Sequence, residues 1–145
     1  MIRRYEASDR STVTEMLDEF YHSPAVLHPI PRAHFEKTLN EAEAGNPCVR
    51  LYLIENGGQT AGYALLALTF SNEAGGDVVW LDEIYIRPEF QGKGLGNEFF
   101  DFLEKEFASA ARFRLEVEAD NEGAVRLYKR RGFRPLEYVQ FIKGE

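Results

Sequence analysis

The spacing of apolar side chains changes along the chain, and each spacing predicts a different kind of element. A first helix is predicted by apolar residues that recur every three or four positions: Val13, Met16, Leu17, Phe20 and Tyr21. Residues 22–31 contain three prolines and predict a loop. A second helix is expected over residues 32–44, where Phe35 and Leu39 form its buried side.

The middle of the chain has the pattern of strands. Residues 51–55 and 60–71 are predicted to form a hairpin, because the intervening Asn-Gly-Gly at 56–58 suits a tight turn. A further strand is expected over residues 77–87. It must end before Pro88, since proline cannot donate a hydrogen bond to a sheet.

Helix and strand patterns alternate in the last third of the chain. A long helix is indicated by Phe99, Leu103 and Phe107, and a strand by the alternating residues Phe113, Leu115 and Val117. Residues 124–131 predict a shorter helix that ends at Gly132, and residues 136–143 predict a last strand. The order ααβββαβαβ is typical of an α/β or α+β domain with helices on a mixed sheet. The length of 145 residues fits a single domain over 1–145.

Composition and charge exclude several kinds of protein. Acidic residues outnumber basic ones by 24 to 17, and the net charge of −7 disfavours non-specific binding to nucleic acid. No apolar run is long enough to span a membrane, and the first residues lack the apolar stretch of a signal peptide. Cys48 is the only cysteine, and a loop separates the three histidines, so no disulfide or metal site is expected. These features predict a cytoplasmic protein without nucleic-acid or membrane partners.

The segment with the clearest chemistry is a glycine-rich turn between a predicted strand and a predicted helix, Gln-Gly-Lys-Gly-Leu-Gly at residues 91–96. Glycine lets the backbone approach a ligand closely, and the free N–H groups of the next helical turn favour phosphate. A tight turn without a ligand is the alternative. The spacing differs from the dinucleotide pattern G-x-G-x-x-G. Gly94 follows Lys93 where a nucleotide-triphosphate loop has Ser or Thr.

The turn fits the pattern Gln-x-x-Gly-x-Gly, with Gln91, Gly94 and Gly96 in the fixed positions. It resembles the acetyl-CoA pyrophosphate loop of the GNAT superfamily, the acyl-CoA-dependent N-acyltransferases. The preceding LDEIYIRPEF is similar to the family's fourth strand, and LEVEADNEGAVRLYKRRGF is similar to its fifth strand and fourth helix. The resemblance covers residues 78–133. It implies a mixed, mainly antiparallel central sheet flanked by helices. Within the family, the sequence resembles the polyamine- and diamine-type members.

The resemblance implies a site for acetyl-CoA. The backbone of Ile84, Tyr85 and Ile86 is implied to pair with the pantetheine arm, and Asn121 and Ala124 are implied to contact the cofactor at the start of a helix. The pyrophosphate is implied to lie on one run of residues: Gln91, Gly92, Lys93, Gly94, Leu95, Gly96 and Asn97. Asparagine is also a common helix N-cap, and the two roles of Asn121 are compatible.

Three catalytic residues are implied as well. Tyr128 matches the tyrosine that protonates the departing thiolate, a role that a phenol of pKa about 10 can fill; a core aromatic is the alternative. Asp82 and Glu83 match acidic positions of polyamine-type members, and either could take the proton of an ammonium acceptor. Neighbours on a strand point to opposite faces, so only one can face the reaction centre. Solvated charges, or catalysis without a dedicated base, are the alternatives.

The remaining candidates concern the substrate. Tyr21 and His22, together with Asp82, match positions that contact the amine in polyamine-type members, and aromatic faces beside acids suit a cation. Glu116 and Glu118 share one strand face and could line the substrate side or be solvated. Five basic residues fall between 126 and 134. Stabilisation of a helix C-terminus is their default role and contact with a CoA phosphate the alternative.

The sequence thus predicts an N-acetyltransferase that moves an acetyl group from acetyl-CoA to the primary amine of a small molecule or peptide. The amine attacks the thioester directly. The alternative is a non-catalytic acyl-CoA-binding or regulatory module on the same fold. The last predicted strand is expected to allow pairing across a homodimer through four exposed residues: Tyr138, Val139, Phe141 and Ile142.

Overall fold

Five strands and four helices follow one another in the order βααβββαβα in the computed structural model, which describes residues 1–144. The strands are β1 (Ile2–Arg4), β2 (Val49–Asn56), β3 (Gln59–Ser71), β4 (Gly76–Ile86) and β5 (Arg112–Leu115). The helices are α1 (Arg10–Tyr21), α2 (Arg32–Glu43), α3 (Leu95–Glu106) and α4 (Glu122–Arg130). Short 3-10 turns lie at Ala7–Asp9 and Pro88–Phe90.

The strands form one sheet in chain order, β1-β2-β3-β4-β5. All neighbours are antiparallel except β4 and β5, which are parallel and paired only from Val78↔Arg112 to Leu81↔Leu115. The hairpin of β2 and β3 turns at Gly57 and Gly58, whose φ angles of 59° and 76° lie in the left-handed region that glycine adopts without strain. The predicted mixed, mainly antiparallel sheet is confirmed.

Two hydrophobic cores cover the two faces of the sheet. On one face, α3 buries Phe99 and Phe100 completely against β2, β3 and β4. On the other face, α1 and α2 bury Met16 and Leu39 completely against the same strands. The four predicted helices supply these contacts. Residues that belong to different faces can therefore meet only where the sheet opens.

The first strand was not predicted from the sequence. β1 has three residues, which is too short to show an alternating pattern. Charge contacts hold it in place. The Arg3 guanidinium donates to both carboxylate oxygens of Asp9 at 2.8 and 2.9 Å, and its Nε donates to Glu55 at 2.7 Å.

The predicted last strand is wrong, because residues 136–143 pair with no strand in the described part of the chain. Their aromatic and β-branched residues favour a strand locally. Strand propensity depends on tertiary context, and within residues 1–144 this segment does not pair with β5, whose outer edge is left free. Phe141 and Ile142 are 92% and 86% exposed. Pairing of this segment across a homodimer stays a prediction. Val117, predicted within the preceding strand, lies beyond the end of β5.

The helices have 9 to 12 residues. Within residues 1–144, none of them combines the length and the apolar character that crossing a membrane requires. The same residues contain no group of three or more His, Cys, Asp or Glu side chains placed to hold a metal ion.

Candidate active site

A β-bulge in β4 marks the point where the sheet opens. Leu66 of β3 pairs with Leu81, but the preceding Leu65 pairs with Glu83, so Asp82 is an extra residue in the ladder. The pairing of β4 with β5 ends at the same place, at Leu81↔Leu115. A bulge bends its strand and increases the local twist. Beyond Leu81, β4 keeps its ladder with β3 and has none with β5, and we call this gap the β4–β5 opening.

The backbone of Ile84, Tyr85 and Ile86 borders this opening. It pairs with β3 on one side and with no strand on the other. Gly62 of β3 permits this packing, because a Cβ there would lie 2.0 Å from the Tyr85 carbonyl oxygen. Apart from the Ile86 carbonyl oxygen, which accepts from Gln91, outward-directed backbone groups at this edge are available to an extended ligand, as in peptide recognition by strand addition.

The predicted phosphate turn lies directly after β4. Gly92 and Gly94 have φ angles of 75° and 79°, and no atom lies within 4 Å of a Cβ built at either position. The first α-helical backbone bond runs from Glu98 N to the Gly94 oxygen, so the N–H groups at the start of α3 have no intrahelical acceptor. These donors belong to Leu95, Gly96 and Asn97, directly after the exposed turn at residues 91–94, and such N–H groups suit an anion.

Three side chains fix or flank this turn. Gln91 Nε2 donates to the Ile86 carbonyl oxygen at 2.9 Å and ties the turn to the end of β4. The Lys93 ammonium lies 5.2 Å from the centre of the Phe90 ring, a cation–π distance that leaves its charge at the exposed turn. Gly96 has no side chain where α3 meets α4, and a Cβ there would lie 3.3 Å from Leu127.

Helix α4 brings Asn121 and Tyr128 to the same face of the sheet as α3. Asn121 is the N-cap, and its Oδ1 accepts from Ala124 N at 3.3 Å. Tyr128 packs edge-on against Phe100 and Phe133, at 5.8 and 6.1 Å between ring centres. Burial raises the pKa of Tyr128. Its hydroxyl has no hydrogen-bond partner within residues 1–144 and remains a protonated donor at neutral pH.

Glu83 lies on the opposite face, among residues of α1 and β3. Tyr63 donates to its Oε1 at 2.8 Å, and Tyr21, the last residue of α1, donates to its Oε2. Burial raises the pKa of Glu83, the two phenol hydrogen bonds act in the opposite direction, and the charge of Asp82 adds to the rise. A carboxylate with a raised pKa is a stronger proton acceptor than an ordinary glutamate.

Asp82 occupies the bulge itself and is exposed at the β4–β5 opening. Loss of water around its carboxylate, and then the charge of Glu116, raises the pKa of Asp82. Glu116 follows the last residue of β5 just as Asp82 follows Leu81 of β4. Neither carboxylate forms a salt bridge in the described part of the chain, so the opening carries uncompensated negative charge.

An aromatic and charged rim borders Glu83. Tyr85 points to the same face as Glu83, and its hydroxyl donates to Glu19 at 2.9 Å. Burial, followed by this hydrogen bond, raises the pKa of Tyr85 to about 12. Arg87 forms salt bridges with Glu15 at 3.2 Å and Glu19 at 3.0 Å. These two glutamates of α1 share a basic partner, whereas Asp82 has no salt bridge within residues 1–144.

Asp82, Glu83 and the strand edge at 84–86 lie at the β4–β5 opening, whereas His22 lies away from it. His22 is exposed at the end of α1, where its Nδ1 donates to the Asp18 carbonyl oxygen at 2.8 Å, and it makes no contact with Glu83. Within the basic segment, Arg131 is bound by Asp101 and Glu104 of α3, so it has a structural role. Tyr63 was not predicted. In the sequence it is one aromatic residue in an apolar strand and carries no signal of its contact.

A sequence model described as the acetyltransferase (GNAT) family matches residues 11–133. The chain therefore belongs to this family, and the resemblance seen in the glycine-rich turn is confirmed. A ribosomal protein bS18-alanine N-acetyltransferase of Escherichia coli (strain K12) is 32% identical over 116 residues, which are 76% of this chain and 73% of that protein. A spermine/spermidine N(1)-acetyltransferase of Bacillus subtilis (strain 168) is 33% identical over 81 residues, 52% of this chain and 53% of that protein.

The fold is also that of a solved acetyltransferase. The structure of the aminoglycoside N-acetyltransferase AAC(6')-Iy in complex with CoA matches with a TM-score of 0.73. The match covers 100% of this chain and 99% of that one, at 15% identity. Agreement over the whole chain at such low identity reflects the shared fold.

Proposed function

We propose that this chain is an N-acetyltransferase that transfers an acetyl group from acetyl-CoA to the primary amine of a cationic small molecule. The observation that carries the proposal is the coincidence of the Asp82 bulge with the end of β4–β5 pairing. It connects the proposed anion-binding turn on one face with the half-buried carboxylate of Glu83 on the other.

The residues present fit acetyl-CoA. The free N–H groups at the start of α3, with Lys93 beside them, suit a pyrophosphate. The open edge at Ile84, Tyr85 and Ile86 suits an amide-containing arm, and the Asn121 side-chain amide is available at the start of α4. A bound acetyl-CoA supplies an activated thioester carbonyl at the opening.

Glu83 is the general base in this proposal. Its raised pKa allows it to take the proton of an ammonium acceptor, directly or through one water molecule, so that the neutral amine can attack. Asp82 remains exposed and charged at the opening, where it attracts the cation. This division follows from burial and contacts, since tyrosine donors hold Glu83 and none holds Asp82.

Tyr128 is the general acid. Its hydroxyl is protonated at neutral pH, has no competing partner among the described residues, and lies on the α3–α4 face where the leaving thiolate would emerge. Proton donation from a placed side chain is typically worth about 10²–10⁴ in rate. This role separates an enzyme from a module that only binds an acyl-CoA.

The acceptor class follows from charge and aromatic surface. Asp82, Glu83 and Glu116 have no basic partner within 4.0 Å in residues 1–144, while Tyr21 and Tyr85 flank Glu83. Carboxylates and aromatic faces together favour an ammonium group. We therefore place diamines and polyamines ahead of peptide N-termini. The spermine/spermidine and ribosomal-alanine relatives represent these two classes.

Two measurements test the proposal in order. Calorimetric titration with acetyl-CoA measures binding, and absence of binding would overturn the proposal at its base. Release of the CoA thiol is then followed with putrescine, spermidine, free lysine and a peptide that begins with alanine. Thiol release with the diamine or polyamine supports the proposed class. Release with the peptide alone reassigns the acceptor, and binding without any amine-dependent release supports the non-catalytic module.

A further inference from the structure

The carboxylate of Glu83 is held at both oxygens by phenols from different elements. Tyr63, in the middle of β3, donates to Oε1 at 2.8 Å, and Tyr21, at the end of α1, donates to Oε2. The two hydroxyls occupy one acceptor position on each oxygen and leave the others for a proton or a water molecule. The orientation of the carboxylate is therefore fixed before any acceptor arrives.

We infer that Tyr63 is a positioning residue that orients Glu83 and keeps it ionised for proton abstraction. The inference rests on the proposed function, in which Glu83 is the base. No sequence feature distinguishes Tyr63 from a core aromatic, and its role follows only from the contact across β3 and β4.

Because Tyr63 is buried, its hydroxyl cannot contact a substrate directly. Its side chain is 0% exposed. It is covered by Phe20 and Tyr85, at 6.2 and 6.1 Å between ring centres. It cannot touch an acceptor amine or a thioester from this position. Any effect of its hydroxyl on the reaction must pass through Glu83.

The direction of that effect is set by the groups around Glu83. Tyr21 from α1 and Tyr63 from β3 donate to it, and Asp82 of β4 is the charged neighbour. Burial and Asp82 favour the protonated acid, whereas the two donors favour the carboxylate. Loss of the Tyr63 hydroxyl removes one of the two stabilising bonds. The carboxyl then holds its proton to higher pH, where it cannot act as a base.

The test compares Tyr63→Phe with Tyr52→Phe. Tyr52 is similarly buried, at 2% exposed, but its hydroxyl has no hydrogen-bond partner among the described residues 1–144, and it belongs to the core on the α3 face. Each variant loses one buried phenol oxygen from the same sheet. The readouts are the pH profile of kcat/KM for the amine and a ¹³C carboxyl titration of Glu83 by NMR in the protein without acetyl-CoA.

For Tyr63→Phe we expect the acid limb of the pH profile to move to higher pH. On that limb kcat/KM should fall about tenfold, and at the plateau it should change little. The Glu83 NMR titration moves in the same direction, and both curves of Tyr52→Phe match the wild type. A uniform loss across the pH range, or an unchanged Glu83 titration, would overturn the inference.

Two further measurements keep the inference testable. If Tyr63→Phe does not fold, the ring ¹³Cζ signal of Tyr63 in the wild type must shift with the same midpoint as Glu83, and independent midpoints refute the contact. If the wild type releases no CoA with any amine, the proposed function fails. The NMR titration of Tyr63→Phe still decides whether Tyr63 controls the ionisation of Glu83.

Discussion

The hydroxyl of Tyr63 lies 2.8 Å from Oε1 of Glu83, which joins a completely buried residue of β3 to the carboxylate beside the β4 bulge. The two residues are diagonal neighbours across the ladder, because Tyr63 pairs with Tyr85 and Glu83 pairs with Leu65. The bulge at Asp82 makes the difference, because it shifts the register by one residue and turns Glu83 toward the α1 face. The bulge therefore places two neighbouring acids in different surroundings: Glu83 is held by tyrosines, and Asp82 is exposed.

Glu83→Gln should remove the proton acceptor with little change in shape. We expect kcat/KM for the amine to fall by about 10²-fold or more, because general-base catalysis is typically worth that much. Binding of acetyl-CoA, measured by calorimetry, should stay unchanged because the turn at 91–96 lies on the other face. Glu36→Gln, an exposed position on α2, is the matched control. Equal activity of Glu83→Gln and the wild type would assign the base elsewhere or show that none is needed.

Tyr128→Phe should lower kcat by about 10²-fold or more while the affinity for acetyl-CoA is retained. The ring contacts with Phe100 and Phe133 persist in this variant, and within residues 1–144 the hydroxyl has no hydrogen bond to lose, so the melting temperature should change little. Single-turnover kinetics separates this loss from slow product release. A variant with full kcat would make Tyr128 only a core aromatic.

Gly94→Ala should weaken acetyl-CoA binding through the backbone. Gly94 has φ of 79°, and a left-handed conformation costs a residue with a Cβ about 1–2 kcal/mol. Relief of that strain would displace the N–H donors at the start of α3. Gly123→Ala is the control, because Gly123 lies inside α4 with nothing within 4 Å of a Cβ. It should gain about 0.5 kcal/mol of stability. Unaltered affinity in Gly94→Ala would contradict the anion-binding role of the turn.

The Arg3–Asp9 pair should make the attachment of β1 sensitive to acid. The hydrogen bonds from Arg3 lower the pKa of Asp9. A lowered folded-state pKa contributes stability that is complete above the unfolded value of about 3.9 and is lost as the pH falls through the folded value. Asp9→Asn should cost about 1 kcal/mol at neutral pH, since the pair is bidentate and partly exposed.

Urea denaturation at several pH values checks this prediction. The difference between the wild type and Asp9→Asn should shrink as the pH falls below the ordinary range of aspartate, because the wild type then loses the same bonds. Asp101→Asn breaks an exposed contact with Arg131 and should cost less than about 0.5 kcal/mol. A difference at Asp9 that is constant with pH would show that its contribution does not depend on ionisation of the carboxylate.

Most of the fold could be predicted from local patterns. The apolar residues of α1 recur at helical spacing, as Val13, Met16 and Leu17 show. Those of β2 and β3 follow the pattern of strands. In each case the pattern arises because the element is buried on one face or on both, and it can be read within the element itself. Predictions failed where an element depends on a distant neighbour. β1 is a strand through its pairing with β2, from Ile2↔Ile54 to Arg4↔Tyr52, whereas within residues 1–144 the segment 136–143 does not pair with the free edge of β5.

The sequence by itself determined the glycine-rich turn, the acids before it and the spacing of Asn121 and Tyr128, and with these the family of the protein. These features are local, since a positive φ at Gly94 or an N-cap at Asn121 is decided within a few residues. Only the tertiary structure decided that Glu83 rather than Asp82 is held by Tyr21 and Tyr63. The reason is that a register shift between two strands, and the side chains it brings together, depends on contacts between residues far apart in the chain.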